Sequence, residues 1–125
     1  MAKVLIVEDD LALGEIYMTR LTAEGFEVKL VHDGELALSS AVEYEPDLVL
    51  LDIMMPRISG FDVLDILRNT PKTKDYKIVV ISALSEQDKI EQAKALGSDD
   101  YLIKSKTTVA DLVEKVKQAV ASDKK

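Results

Sequence analysis

Cysteine is absent from this chain and histidine occurs once. Without cysteine there is no disulfide framework, no thiolate nucleophile and no thiolate metal site. A single histidine, His32, cannot build a zinc or copper centre, and its setting in His32-Asp33-Gly34 reads as a surface turn. Positive charge is in short supply: 16 Lys and Arg stand against 23 Asp and Glu, a net charge of −7. That balance disfavours direct contact with nucleic acid or anionic membranes, which are held mainly by basic patches. Long apolar runs are missing, and the N-terminus lacks the charged-then-apolar layout of a signal peptide. No membrane contact and a cytoplasmic location are therefore expected. Repeats, low-complexity tracts and linkers are also lacking, so the 125 residues are expected to form one domain, with Ser122–Lys125 as a frayed polar tail.

What the chain does have is alternation. Short apolar runs recur at VLIV (4–7), VKLV (28–31), LVLL (48–51), IVVI (78–81) and YLI (101–103). Segments with helical spacing separate them, marked by Leu13, Ile16, Tyr17 and Leu21, by Ala37, Leu38, Ala41 and Val42, and by Val63, Leu64 and Leu67. Ile90, Ala93 and Leu96 give a thinner stripe, and Val109, Leu112, Val113, Val116 and Val120 the cleanest one. Gly25 and Gly97 stand where helices should stop, while Ser85 and Thr108, each with Asp three residues later, read as N-caps. Asp10 reads as the N-cap of the first helix and Gly60 as the opening of the third; Gly14, inside a helix, has no explanation from sequence. Near-continuous apolar strands are buried on both faces, which predicts an α/β fold, a doubly wound parallel sheet covered by helices on both sides.

Parallel strands joined by right-handed crossovers bring their C-terminal ends to one edge, where ligands of such sheets bind. Glu8, Asp9 and Asp10 follow the first run, Asp52 the third, Ser82 the fourth and Lys104 the fifth. First and third strands are neighbours in a doubly wound sheet, so Glu8, Asp9 and Asp52 should converge. Clustered acids repel unless a positive charge joins them. An all-oxygen set suits Mg²⁺, which binds one or two carboxylates together with a phosphate. Lys104 offers an ammonium, and Ser82 a hydroxyl, to phosphoryl oxygens. The residues point to metal-assisted handling of a phosphoryl group, with one carboxylate as nucleophile.

The motifs LIVEDD, LVLLDIMMPRISGFDVL, VVISA and GSDDYLIK, in this order and over essentially the whole chain, resemble the receiver domain of bacterial two-component response regulators. The most specific run is D-x-M-M-P-x-x-x-G, from Asp52 to Gly60. The resemblance, to the chemotaxis-type single-domain receiver, implies a flavodoxin-like sheet of order 2-1-3-4-5 over residues 1–125. It implies that Asp52 accepts a phosphoryl group from a sensor histidine kinase or a phosphotransfer protein. Asp9 would ligate Mg²⁺ directly, Glu8 through water, and the Met54 carbonyl would complete the protein's share. Ser82 and Lys104 would hold phosphoryl oxygens, and Tyr101 would be the aromatic switch that changes the surface read by a downstream protein. Family members usually carry proline after the fifth-strand lysine, with a cis bond before it; here Ser105 follows Lys104. A cis bond before a non-proline residue costs about 2.5–4 kcal/mol, so this loop is either trans and differently shaped or strained.

Such a domain is a signalling switch and not an enzyme, beyond catalysing its own aspartyl phosphorylation and dephosphorylation. The alternative is the receiver portion of a DNA-binding transcriptional regulator; GSDDYLIK resembles the matching segment of winged-helix regulators, while the second half has no basic recognition helix. Aspartyl-intermediate phosphatases carry a second acid two residues after the nucleophile, where this chain has Met54. A flavin carrier would need a Ser/Thr/Gly-rich loop after the first strand, and VEDDLAL is opposite in charge. A monomer is expected, with pairing on phosphorylation through the fourth and fifth helices left open.

Overall fold

The computed structural model of the protein describes residues 1–122. Five strands, β1 (Lys3–Val7), β2 (Glu27–Val31), β3 (Leu48–Asp52), β4 (Lys77–Ser82) and β5 (Asp100–Ile103), alternate with five helices. These are α1 (Leu11–Ala23), α2 (Gly34–Tyr44), α3 (Gly60–Arg68), α4 (Gln87–Ala95) and α5 (Val109–Ala121). The sheet has the order β2-β1-β3-β4-β5, and all neighbours pair in parallel. The expected doubly wound topology is therefore present.

Side chains alternate across a strand, so each central strand feeds two cores. Leu5, Val7, Val49, Leu51, Ile78 and Val80 face α2, α3 and α4, meeting Ala37, Ala41, Val63, Leu64, Leu67 and Ala93. Val4, Ile6, Leu48, Leu50, Val79 and Ile81 face α1 and α5, meeting Tyr17, Leu21, Leu112, Val113 and Val116. The thin stripe of α4 has its physical counterpart: Ala93 is its only buried residue.

Helix ends follow local chemistry. Gly25 (φ 97°) and Gly97 (φ 106°) take the left-handed conformation just past α1 and α4. Each closes a Schellman pair, Gly25 N–H to Thr22 O with Phe26 N–H to Leu21 O, and Gly97 N–H to Lys94 O with Ser98 N–H to Ala93 O. Asp10 caps α1 through the Leu13 N–H, and Thr108 caps α5 in a reciprocal box with Asp111. Ser122 is held against the end of α5 by bonds to Gln118 and Ala119, so the expected tail begins no earlier than 123, and 123–125 lie outside the described residues.

Three expectations fail, and one open position is explained. The N-cap of α4 is Glu86, without a side-chain cap, rather than Ser85, whose N–H instead donates to the Glu86 carboxylate. Ile16 and Val42 are exposed, because helix α1 turns Gly14, Tyr17 and Leu21 to the sheet and α2 turns Ala37, Ser40 and Ala41. His32-Asp33-Gly34 is not a free turn: Asp33 caps α2 and Gly34 is its first residue. Gly14 now has a reason, since a Cβ there would lie 3.0 Å from the Leu30 side chain of β2.

Candidate functional site: an acid pocket at the sheet edge

Register places the functional side chains in one row. Val7 pairs with Leu51, which sets Glu8 beside Asp52; Asp52 pairs with Ile81, one residue before Ser82; and Ser82 pairs with Ile103, one residue before Lys104. Strand pairing thus brings together Glu8, Asp52, Ser82 and Lys104 from positions far apart in the chain. Three of them are buried: Glu8 and Asp52 are each 1% exposed and Ser82 is fully buried. Asp9 is exposed at the rim. One carboxylate oxygen from each of Glu8, Asp9 and Asp52 lies within 4.8 Å of the others, the single acidic group of this kind among the described residues.

Lys104 reaches both buried acids, its Nζ 2.9 Å from Glu8 Oε1 and 3.3 Å from Asp52 Oδ2. Glu8 Oε1 is buried and ion-paired to Lys104 without accepting a hydrogen bond. The Lys104–Ser105 bond is trans, no cis bond occurring among the described residues. A short 3-10 turn at Lys104–Lys106 follows β5 directly, and lysine still enters the pocket without the proline. Of the two loop shapes expected, the unstrained one is adopted.

Charge in the pocket is unbalanced. Burial first, and then the neighbouring Glu8, push the Asp52 carboxyl up to about 7, with Lys104 only partly opposing them. Burial alone would lower the Lys104 ammonium, yet Glu8 and Asp52 outweigh it and hold the group above its ordinary value. Three carboxylates facing one ammonium leave a net negative, oxygen-lined pocket, the environment a hard divalent cation favours.

The loop after β3 explains the motif that begins at Asp52. The Met54 N–H donates to Asp52 Oδ1 at 3.3 Å, an Asx-type turn that aims the carboxylate. Gly60 N–H donates to the Ile53 carbonyl at 2.8 Å, and a Cβ on Gly60 would stand 2.3 Å from the Asp52 carbonyl oxygen. Only glycine lets α3 press on the backbone that carries Asp52. Arg57, in the same loop, has φ 66° and leans toward Asp33 and Glu35 at the start of α2.

Ser82 and Tyr101 meet at a residue that sequence reasoning missed. The Leu84 N–H donates to Ser82 Oγ at 3.1 Å, and the Tyr101 hydroxyl donates to the Leu84 carbonyl at 2.9 Å. Both contacts use backbone groups of Leu84, which no side-chain pattern could reveal. Tyr17, read only as a core residue, lies close enough to feel the pocket: burial pushes its hydroxyl up to about 12, with Lys104 opposing and Glu8, Asp52 and Asp10 adding to the rise. His32 is half-buried rather than on the surface, its Nδ1 3.0 Å from the Glu8 carbonyl oxygen.

A five-stranded 2-1-3-4-5 sheet with paired acids, a lysine and a hydroxyl at its C-terminal edge defines a class of phosphoryl-handling α/β domains. Residues 4–117 match the family model of the response regulator receiver domain. The chain is 37% identical over 105 residues to the DNA-binding dual master transcriptional regulator RpaA of Synechocystis, covering 83% of this chain and 43% of that protein. It is 36% identical over 115 residues to the phosphate regulon transcriptional regulatory protein PhoB of Rhizobium meliloti, covering 92% of this chain and 50% of that protein. Among solved structures it is similar to response regulator TrrA of Thermotoga maritima in complex with Mg(2+)-BeF, with TM-score 0.83 and 36% identity over 95% of this chain and 99% of that one. The chain belongs to the response regulator receiver domain family of two-component systems. It spans half or less of the length of the two regulators. No helix among the described residues is long and apolar enough to cross a membrane.

Proposed function

We propose that Asp52 is the phosphoacceptor of a Mg²⁺-dependent switch, charged by a sensor histidine kinase or a phosphotransfer protein and read by a downstream protein. The observation that carries this reading is a buried carboxylate, Asp52, set between a second buried acid and the Lys104 ammonium at 3.3 Å. An Oδ of Asp52 attacks phosphorus, and the P–N bond of the donor phosphohistidine breaks as the P–O bond forms. The imidazole nitrogen leaves with the bonding pair, and water later hydrolyses the acyl phosphate. In this reading the domain catalyses only the phosphorylation and dephosphorylation of its own Asp52. Lys104 neutralises one equatorial oxygen and Ser82 donates its hydroxyl proton to another.

The donor set fits a hard cation: all oxygen, three acids against one lysine, and a Glu8 oxygen without a bonded donor. Asp9 and Asp52 would hold Mg²⁺ directly, Glu8 through water, with the Met54 carbonyl completing the set. When bound, the ion neutralises charge on the attacked phosphoryl group. The Mg(2+)-BeF complex of the Thermotoga relative supports the same ion here.

The readout runs through Leu84. Ser82 Oγ accepts from the Leu84 N–H while its own proton stays free to donate. A new bond from Ser82 to a phosphoryl oxygen pulls on Leu84, whose carbonyl is the acceptor for Tyr101. A group carrying about −1.5 to −2 charges thereby biases the β4–α4 loop and the exposure of Tyr101.

A second reading, the receiver portion of a DNA-binding regulator, is favoured by the relatives, transcriptional regulators about twice as long, of which RpaA is DNA-binding by name. With net charge −7, these residues are poor ligands for nucleic acid, so the contact would belong to sequence outside them. Intact-mass spectrometry after incubation with a small acyl phosphate tests the first reading. One phosphoryl adduct that requires Mg²⁺ and disappears in Asp52→Asn supports it; an adduct that persists in the variant removes Asp52 from the role.

A further inference from the structure

The acids of the pocket sit on a turn, and something must hold that turn against their mutual repulsion. The Glu8–Asp9 peptide is a single plane, from the Glu8 Cα through its carbonyl to the Asp9 Cα. Whatever fixes the Glu8 carbonyl therefore fixes the direction in which Asp9 leaves the strand. Ladder pairing fixes the preceding peptide, since the Glu8 N–H donates to the Val31 carbonyl at 3.0 Å. The following peptide is fixed by the Asp10 N–H, which donates to Glu8 Oε2 at 3.2 Å. The Glu8 carbonyl itself lies beyond the last ladder pair, Val7 with Val31, and its partner is the His32 ring, Nδ1 3.0 Å away.

We propose that His32 is a positioning residue for the metal and phosphoryl site: its Nδ1–H holds the Glu8 carbonyl and so sets the plane that aims the Asp9 carboxylate. A carbonyl oxygen can only accept, so the bond requires the proton to be on Nδ1. Several features make this more than a packing contact. The chain has one histidine, and it occupies the position after β2 that is level with Glu8. The ring is half-buried, and the next residue, Asp33, turns away to cap α2. No side-chain donor other than His32 bonds the Glu8 carbonyl among the described residues. Residues that orient a ligand from behind typically change metal affinity about 10- to 100-fold when removed.

The inference rests on Asp9 and Glu8 as Mg²⁺ holders, and its test separates the two. Mg²⁺ affinity is measured by titration of the wild type, His32→Leu and His32→Asn, with folding followed by circular dichroism. The asparagine amide places an N–H donor close to where Nδ1 stands, whereas leucine keeps bulk without a donor. A rise in Mg²⁺ Kd of about tenfold in His32→Leu, restored to within about threefold in His32→Asn, is expected. An unchanged Kd in His32→Leu, or an equal loss in both variants, overturns the positioning role and leaves the metal site standing. No Mg²⁺ binding by the wild type overturns both. Should His32→Leu fail to fold, nitrogen NMR of the wild-type imidazole in alkaline buffer decides: the Nδ1–H tautomer is expected, and the Nε2–H tautomer refutes the bond.

Discussion

Replacing Asp52 by asparagine should flatten the pH dependence of stability in the metal-free protein. The folded domain holds the Asp52 carboxyl up to about 7 rather than its ordinary 3.8. Between those values the native state binds a proton that the unfolded chain has released, so stability falls as pH rises. The contribution is fully present below 3.8 and is lost as pH passes through 7. One proton of difference corresponds to a slope of about −1.4 kcal/mol per pH unit, or roughly 2–3 kcal/mol between pH 5 and 7.5. Asp52 is 1% exposed, so solvent screening removes little of this; sharing of the strain with Glu8 makes the lower figure the better expectation. Urea unfolding at several pH values in chelator, for wild type and Asp52→Asn, isolates the residue because every other titrating group is common to both. The variant should be the more stable protein at pH 8 and nearly equal at pH 4. Adding Mg²⁺ should stabilise the wild type more than the variant, the wild type by about 2.7 kcal/mol at a hundredfold excess over its Kd. Parallel pH profiles for the two proteins, or a less stable variant at pH 8, would refute the account of a strained acid pair.

Two further substitutions probe the scaffold. Gly60→Ala drives a methyl to 2.3 Å from the Asp52 carbonyl, so α3 must shift; a loss of about 1–3 kcal/mol in urea unfolding and a clear drop in the initial rate of phosphorylation are expected, and wild-type values for both would contradict the close approach. Arg68, at the end of α3, bonds the carbonyls of Gly97, Lys74 and Tyr76 and pairs with Asp99 at 3.0 Å. Arg68→Met should cost about 3 kcal/mol in unfolding free energy, since a largely buried partner of several carbonyls is lost, while adduct formation by the folded fraction stays unchanged; reduced labelling of folded protein would show that the two ends of the sheet are coupled.

The part of the site that sequence makes legible is the part that strand pairing dictates. Each apolar run is buried on both faces, so its end is unambiguous, and the residue after it falls at the edge by construction. That is why Glu8, Asp52, Ser82 and Lys104 could be placed together from four separated motifs. What escaped depends on contacts with no period. Ser85 loses the cap of α4 to Glu86 because backbone geometry, not the identity of a Ser-x-x-Asp run, decides where a helix begins. Ile16 looked apolar and inward, but α1 is rotated so that Gly14 can meet Leu30. Leu84 and His32 act on or through backbone atoms, Leu84 as donor and acceptor and His32 upon the Glu8 carbonyl, and neither leaves a pattern in side-chain type.

In the proposed switch, the same strain that lowers stability would supply the driving force. A site that binds its ligand without changing its own energetics shifts no equilibrium, since only differential affinity moves a population. Here Glu8 and Asp52 are buried beside one another with one ammonium between them, so the metal-free pocket is the less favourable state at neutral pH. In the proposed switch a cation would relieve the acids, and a phosphoryl group on Asp52 would replace a carboxylate that Lys104 only half satisfies. Asp52 and Ser82 stand at the ends of the neighbouring strands β3 and β4, and from Ser82 hydrogen bonds run through the Leu84 N–H and carbonyl to Tyr101. Paired strands fix where the charge would change, and the β4–α4 loop lies outside that pairing. Helix α4 beyond it is anchored by one fully buried residue, Ala93, so in the proposed switch the work done at Asp52 would be spent where little packing resists it.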